Sequence, residues 1–274
     1  MFSLVTKALR GMVLDKTHRL GAALSYYAIF SLVPLLILSL SIASFVLPQS
    51  ASQDQLLRQV SVFFGDPVAN LVASAIYSIQ GSDQGVLATV LVLLILVFGA
   101  GGVFRQLKDA LNTIWKVDEK SKKDRPSIVA KNIVAVLTIF FTGLLLIVWT
   151  LLNLISSYLK GTIFSPQLSL VFWQTVNFAG TLLVGTILVA TIFAVFPDKR
   201  LKISDMLFPA FITVILFTLL RFVFSVYLDL WQVGSAYGAA GTVVVFLIWI
   251  YLAAQVLLFG AELSRVYTLE GKKG

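Results

Sequence analysis

Cysteine is absent from the 274-residue chain, so a disulfide framework, a thiol nucleophile and a cysteine-ligated metal are all excluded. Histidine occurs once, as His18, and charged residues make up only 12% of positions, where a soluble domain carries about 25%. Metal-dependent hydrolysis draws on clustered histidines and carboxylates. Here the acids facing the expected cytoplasmic side are scattered among lysines, and no glycine-rich phosphate loop with its lysine occurs. His18 reads as a surface side chain in a basic stretch.

What the chain has in abundance is apolar length. Hydrophobic residues account for 58% of it, gathered into runs rather than spread around a soluble core. A helix crosses a hydrocarbon layer ~30 Å thick with about 20 apolar residues, since each adds ~1.5 Å. Six stretches satisfy that length: 23–47 (with Pro34 inside it), 86–104, 133–152, 174–196, 206–228 and 241–261. The sequence therefore predicts an all-α, polytopic membrane protein. It reads as a single membrane domain over 1–274, with six transmembrane helices and additional amphipathic interfacial helices.

Lysine and arginine set the expected orientation, because positively charged loops are retained on the cytoplasmic side. With both termini in the cytoplasm, the inner segments hold eighteen of the twenty-one. The segment 105–131 alone contributes Arg105, Lys108, Lys116, Lys120, Lys122, Lys123, Arg125 and Lys131. The outer loops hold only Arg58 and Lys160, and Arg221 falls within the fifth stretch. The net charge of +8 then follows from topology and from attraction to anionic inner-leaflet lipid. Membrane lipids, and no nucleic acid, are the expected partners.

Three segments outside the spans carry their own patterns. Residues 1–20 lack the apolar core of a signal peptide. In them Phe2, Val5, Leu9, Met12 and Val13 recur at helical spacing beside Lys7, Arg10 and Lys16, as either a cytoplasmic amphipathic helix on the inner surface or a plain lead-in. The outer segment 49–85 shows two apolar stripes parted by Gly65-Asp66-Pro67, a turn with proline placed to open a helix. That pattern fits two outer-face helices or a pair of re-entrant half-helices. In the basic cytoplasmic loop 105–131, Trp115 reads either as an anchor at headgroup depth or as a docking point for a partner.

Several blocks carry a family resemblance. Ala22-Ala23-Leu24-Ser25-Tyr26-Tyr27-Ala28-Ile29-Phe30-Ser31-Leu32 with Pro34, and Ala110-Leu111-Asn112-Thr113-Ile114-Trp115 after Leu107-Lys108, are two of them. Phe196-Pro197-Asp198 with Lys199 and Arg200 is a third. Tyr237-Gly238-Ala239 and Trp249-Ile250-Tyr251-Leu252 through Gly260-Ala261-Glu262-Leu263 complete the set. Together, in order and over nearly the whole chain, they resemble the YihY/BrkB family of bacterial inner-membrane proteins. The resemblance implies six helices and an inner-membrane location. Members of that family have also been called ribonuclease BN, an activity that the scattered acids and lone histidine of this chain argue against.

Ionisable and amide groups within apolar spans are costly and therefore informative. Arg221 lies about 22 Å along the fifth helix from Met206 at ~1.5 Å per residue, in the outer half of the bilayer. Asn153 and Asn177 fall near the outer edge, Gln174 shares a helical face with Asn177, and Asp229 follows Arg221 by two turns. Together they make a candidate polar cavity in which Arg221 binds an anion, since a guanidinium matches phosphate and carboxylate in two-pronged fashion. The plainer reading has Arg221 snorkelling to the interface or pairing with Asp229.

Glu262 is the second candidate. It is either the local partner of Arg265 three residues on or, facing the bundle, a proton or cation carrier for coupled transport. Pro34, Gly101, Gly102, Pro209, Gly238 and Gly241 mark close helix packing or the hinges of an alternating-access cycle. The expected function is a transporter or lipid-handling protein for an anionic small molecule or lipid headgroup, non-enzymatic and without cofactor or metal. The alternative is a non-transporting scaffold that organises envelope enzymes.

Overall fold

The computed structural model describes residues 2–29, Asp54, Leu57, Ala73, 101–117, 166–199, 201–231 and 238–271. Among the described residues all regular structure is helical. The elements are α1 (Phe2–Leu14), α2 (17–29), α3 (101–114), α4 (Pro166–Val195), α5 (Ile203–Trp231) and α6 (Gly238–Gly271). Of the first three expected spans, only 23–29 and 101–104 fall among these residues, and both are helical. Segment 49–85 contributes helical positions at Asp54, Leu57 and Ala73, and the remainder of it lies outside the described residues, as does Pro34.

Helices α4, α5 and α6 hold 30, 29 and 34 residues. Within them Phe178–Val195, Ile203–Phe224 and Val244–Glu270 are long and apolar enough to cross a membrane, and they overlap the expected fourth, fifth and sixth spans. Fewer than half of the residues in each stretch are buried in the protein. Phe178, Leu183, Phe211, Leu219, Phe222 and Val223 are all exposed. Contiguous apolar surface on this scale is sustained by lipid and not by water.

Local chemistry sets the helix ends. Pro166 opens α4, where its missing N–H costs nothing. Pro197 closes it by disfavouring the helical conformation at Phe196, so α4 stops at Val195. Asp205 sits in the first turn of α5, where a negative charge is favoured by the helix dipole. Pro209 lies inside α5 and removes the N–H that would reach the carbonyl one turn back. The Thr213 hydroxyl donates to the Pro209 carbonyl at 2.7 Å, and both residues are buried.

The chain divides into two compact units. The first comprises Met1–Asp15, Lys108–Thr218 and Val256–Gly274, with Ala8, Phe193, Met206, Ala210, Leu258, Ala261 and Leu263 in its core. Gly260 lets α6 approach α4 and α5 closely: a Cβ there would collide with Thr213 Oγ1 and stand 3.0 Å from Phe193 Cζ. The second comprises Lys16–Leu107 and Leu219–Gln255. Its core is Phe224, Val245 and Trp249, with the Phe224 and Trp249 rings 4.9 Å apart. Gly102 packs directly against the Tyr27 ring, whereas a Cβ on Gly101 would meet nothing within 4 Å. Gly238 is the first residue of α6 and Gly241 lies in its first turn.

The apolar stripe expected on α1 divides between two environments. Val5 and Met12 are half-buried and Leu9 and Val13 are exposed, while the line against the protein is Ala8 and Gly11. Small residues occupy that line because α1 lies directly on a buried side chain of α6. Trp115 also departs from expectation. It is 3% exposed, so packing holds it in place and its ring does not face the headgroup layer.

Candidate functional site

In the first unit, polar side chains from α1, α3, the bend at 196–199 and α6 converge around the end of α3. Lys116 N donates to Thr113 O at 3.1 Å and Val117 N to Asn112 O at 3.0 Å. This pair of bonds closes a helix when the residue just past its end is left-handed. Glycine is usual at that position, yet here it is Lys116 at φ 50°, a conformation costing a residue with a side chain roughly 1–2 kcal/mol. The ammonium of Lys116 pairs with Asp15 Oδ1. Asp15 lies in the two-residue turn after α1, where Lys16 is left-handed too, at φ 52°.

Arg265 of α6 ties these parts together. Its Nη1 donates to Ile114 O at 2.8 Å and stands 3.5 Å from Asp15 Oδ2. Its Nε stands 3.7 Å from Glu262 Oε2. The i,i+3 pair between Glu262 and Arg265 is therefore present, but Arg265 is shared with a second carboxylate 250 positions away in the chain. The Asp15 side chain is 4% exposed and that of Glu262 is 0% exposed. Among the described residues no group donates a hydrogen bond to either oxygen of Glu262. Gly11 of α1 covers it, and a Cβ on Gly11 would fall 2.5 Å from Glu262 Oε2. Lys7, midway along α1, pairs with Glu270 and gives a second tie between α1 and α6.

A second group flanks the first. Asn112 Nδ2 donates to Asp198 Oδ2 at 3.1 Å, and Asp198 N donates to Asn112 Oδ1 at 2.6 Å. This reciprocal pair locks the bend after α4 onto α3, and Lys108 Nζ adds a contact to Asp198 Oδ1 at 3.3 Å. Lys199 Nζ lies 5.4 Å from the centre of the Trp115 ring, within cation–π range. Among the described residues the buried Trp115 Nε1 has no acceptor.

The first cluster balances two carboxylates against two cations. As a source of stability it is weak, because desolvating each buried ion costs several kcal/mol before mutual attraction is counted. What the geometry offers is exchange: one guanidinium within reach of two carboxylates, one of which accepts no hydrogen bond. Among the described residues no three histidine, aspartate or glutamate side chains gather as metal ligands.

The other candidate residues lie elsewhere. Arg221 is exposed on α5 among exposed Leu219, Phe222 and Val223. Asp229 follows on the same helix, while Gln174 and Asn177 belong to α4; the side chains of these three, and all of Asn153, are outside the described residues. Sequence reasoning alone missed Asp15, Lys108, Asn112, Lys116 and Asp198. A signal for part of the set exists. Asn112, Trp115, Asp198, Lys199 and Glu262 all belong to blocks that carry the family resemblance, and in the structure those blocks meet in one place.

The sequence profile described as virulence factor BrkB matches residues 8–273. A UPF0761 membrane protein of Alcanivorax borkumensis is 27% identical over 266 residues, covering 92% of this chain and 57% of that protein. The chain thus spans little more than half the length of that relative. A UPF0761 membrane protein of Haemophilus influenzae is 26% identical over 251 residues, covering 91% of this chain and 89% of the relative. One of Coxiella burnetii is 34% identical over 73 residues, 26% of each chain. No solved structure matches.

Proposed function

The chain belongs to the BrkB family of membrane proteins, and from that premise we propose that it is an ion-coupled transporter or lipid-handling protein for an anionic substrate. We read it as resident in the bacterial inner membrane with both termini cytoplasmic, a reading supported by the distribution of its lysines and arginines. It acts without enzymatic chemistry in this proposal, and its substrate is a small anion or an anionic lipid headgroup.

One observation carries the proposal. Glu262 is fully enclosed on an apolar helix of membrane-crossing length, with no hydrogen bond to its oxygens among the described residues. A carboxylate kept in such surroundings is expensive for a fold and marks an ion path in membrane proteins. Arg265 and Asp15 supply the alternative partners that a carrier needs as it takes up and gives away its ion. Arg221 adds the anion contact. An arginine exposed on a lipid-facing apolar helix suits a phosphate or carboxylate group through its two-pronged donor geometry.

Purified protein in liposomes loaded with a pH-sensitive dye tests this reading. Glycerol phosphate, acetate and short-chain phosphatidylglycerol are added outside in turn. The expected result is proton movement driven by at least one of the three, abolished by Arg221→Gln in protein that inserts and folds normally. Unchanged flux in Arg221→Gln would remove the assigned anion site. No proton movement with any of the three would count against coupled transport and favour a scaffold.

A further inference from the structure

We infer that the outward face of α1 is a docking surface for an anionic lipid leaflet. The inward face of α1 is fully committed: Ala8 and Gly11 are buried and Gly11 lies on Glu262. On the opposite side Leu9 is 50%, Val13 75% and Leu14 68% exposed. Leu9 and Val13 are four residues apart and so stack on one face, and Arg10 beside them is exposed. The thirteen residues of α1 include no acid, and of their two cations Lys7 pairs with Glu270 of α6, which leaves Arg10 as the cation of the outward face.

Apolar side chains beside an exposed cation, on a short helix without an acid of its own, are the pattern of an interfacial helix. Cationic residues at this position are attracted to anionic headgroups over roughly one Debye length. Connectivity supplies the second argument. In sequence only eight residues, 15–22, separate α1 from the first expected span, so α1 is tethered near the bilayer surface. A soluble acidic protein would offer the same charge complement, but it would not account for three exposed aliphatic side chains on a protein already seated in lipid. This inference does not depend on transport activity.

The absence of cysteine makes the test clean, because Val13→Cys introduces the only thiol in the chain. The probe is an environment-sensitive fluorophore on that thiol, with the protein in nanodiscs of phosphatidylcholine alone or mixed with phosphatidylglycerol. Phosphatidylglycerol should shift the emission to the blue and lower acrylamide quenching severalfold. High salt or Arg10→Gln should reverse much of that protection, while a label at Phe222→Cys, exposed within the apolar stretch of α5, should be shielded alike in both lipid mixtures. Equal quenching in the two lipid mixtures overturns the inference. Protection that is as strong in phosphatidylcholine alone, and indifferent to salt, overturns the anionic specificity.

Discussion

Glu262 in α6 and Arg221 in α5 carry the same signature in sequence, a single charge within or bordering a long apolar run, yet their surroundings are opposite. Glu262 is 0% exposed, covered by a glycine and held near an arginine that also serves Asp15. Arg221 is exposed, with leucine, phenylalanine and valine exposed beside it. A lone charge in an apolar run thus announces cost without telling how the cost is met. In one region the protein meets it with its own groups; in the other the side chain is left to lipid or ligand.

Removing the arginine from each region breaks the comparison most sharply. Arg265→Ala strips the shared cation from two buried carboxylates and should cost about 3–5 kcal/mol, as for other buried pairs that lose one partner. Arg221→Ala, at an exposed site, should stay within about 0.5 kcal/mol. Thermal unfolding in detergent followed by tryptophan fluorescence reads both. Similar losses at the two sites would mean that Arg221 is enclosed as well.

A smaller effect tests the cover over Glu262. Gly11→Ala should destabilise by about 1–3 kcal/mol, in the range for forcing an extra methyl into a packed site. The same change in a Glu262→Ala background should cost much less, because the obstructing carboxylate is gone. A double-mutant cycle measures that coupling, and additive losses would place α1 elsewhere.

Lys116→Gly should be the mildest. It relieves the left-handed strain, worth roughly 1–2 kcal/mol, and takes one cation from Asp15, which is 4% exposed but keeps Arg265 at 3.5 Å as its second partner, so the loss should fall well short of the ~3–5 kcal/mol of a fully stripped buried charge. Stability should be unchanged or slightly raised. A clear loss would show that Arg265 alone does not compensate the charge of Asp15.

Legibility from sequence follows the range of the interaction. Helices α4, α5 and α6 were accessible because hydropathy over about 20 residues is a local property and lipid imposes it directly. The expected fourth span, 174–196, ends within a residue of α4 but begins eight residues late, because hydropathy does not register the opening turns at Pro166. Glu262 stood out as an acid bordering an apolar run. Its true setting did not, because Asp15 and Lys116 are 101 residues apart and Asn112 and Asp198 are 86 apart. No periodicity encodes such pairings. The α1 stripe was legible only in part: Leu9 and Val13 do turn away from the protein, but nothing in the spacing told that Ala8 and Gly11 would form the inner line against Glu262.

The most direct test sets stability against function at one residue. Glu262→Gln keeps the shape of the side chain and removes the group that can take up and release a proton, so the melting temperature should hold or rise while substrate-driven proton movement in liposomes disappears. A protein that melts markedly lower yet moves protons as the wild type does would contradict the account, because the buried carboxylate would then serve the fold and not the transport cycle.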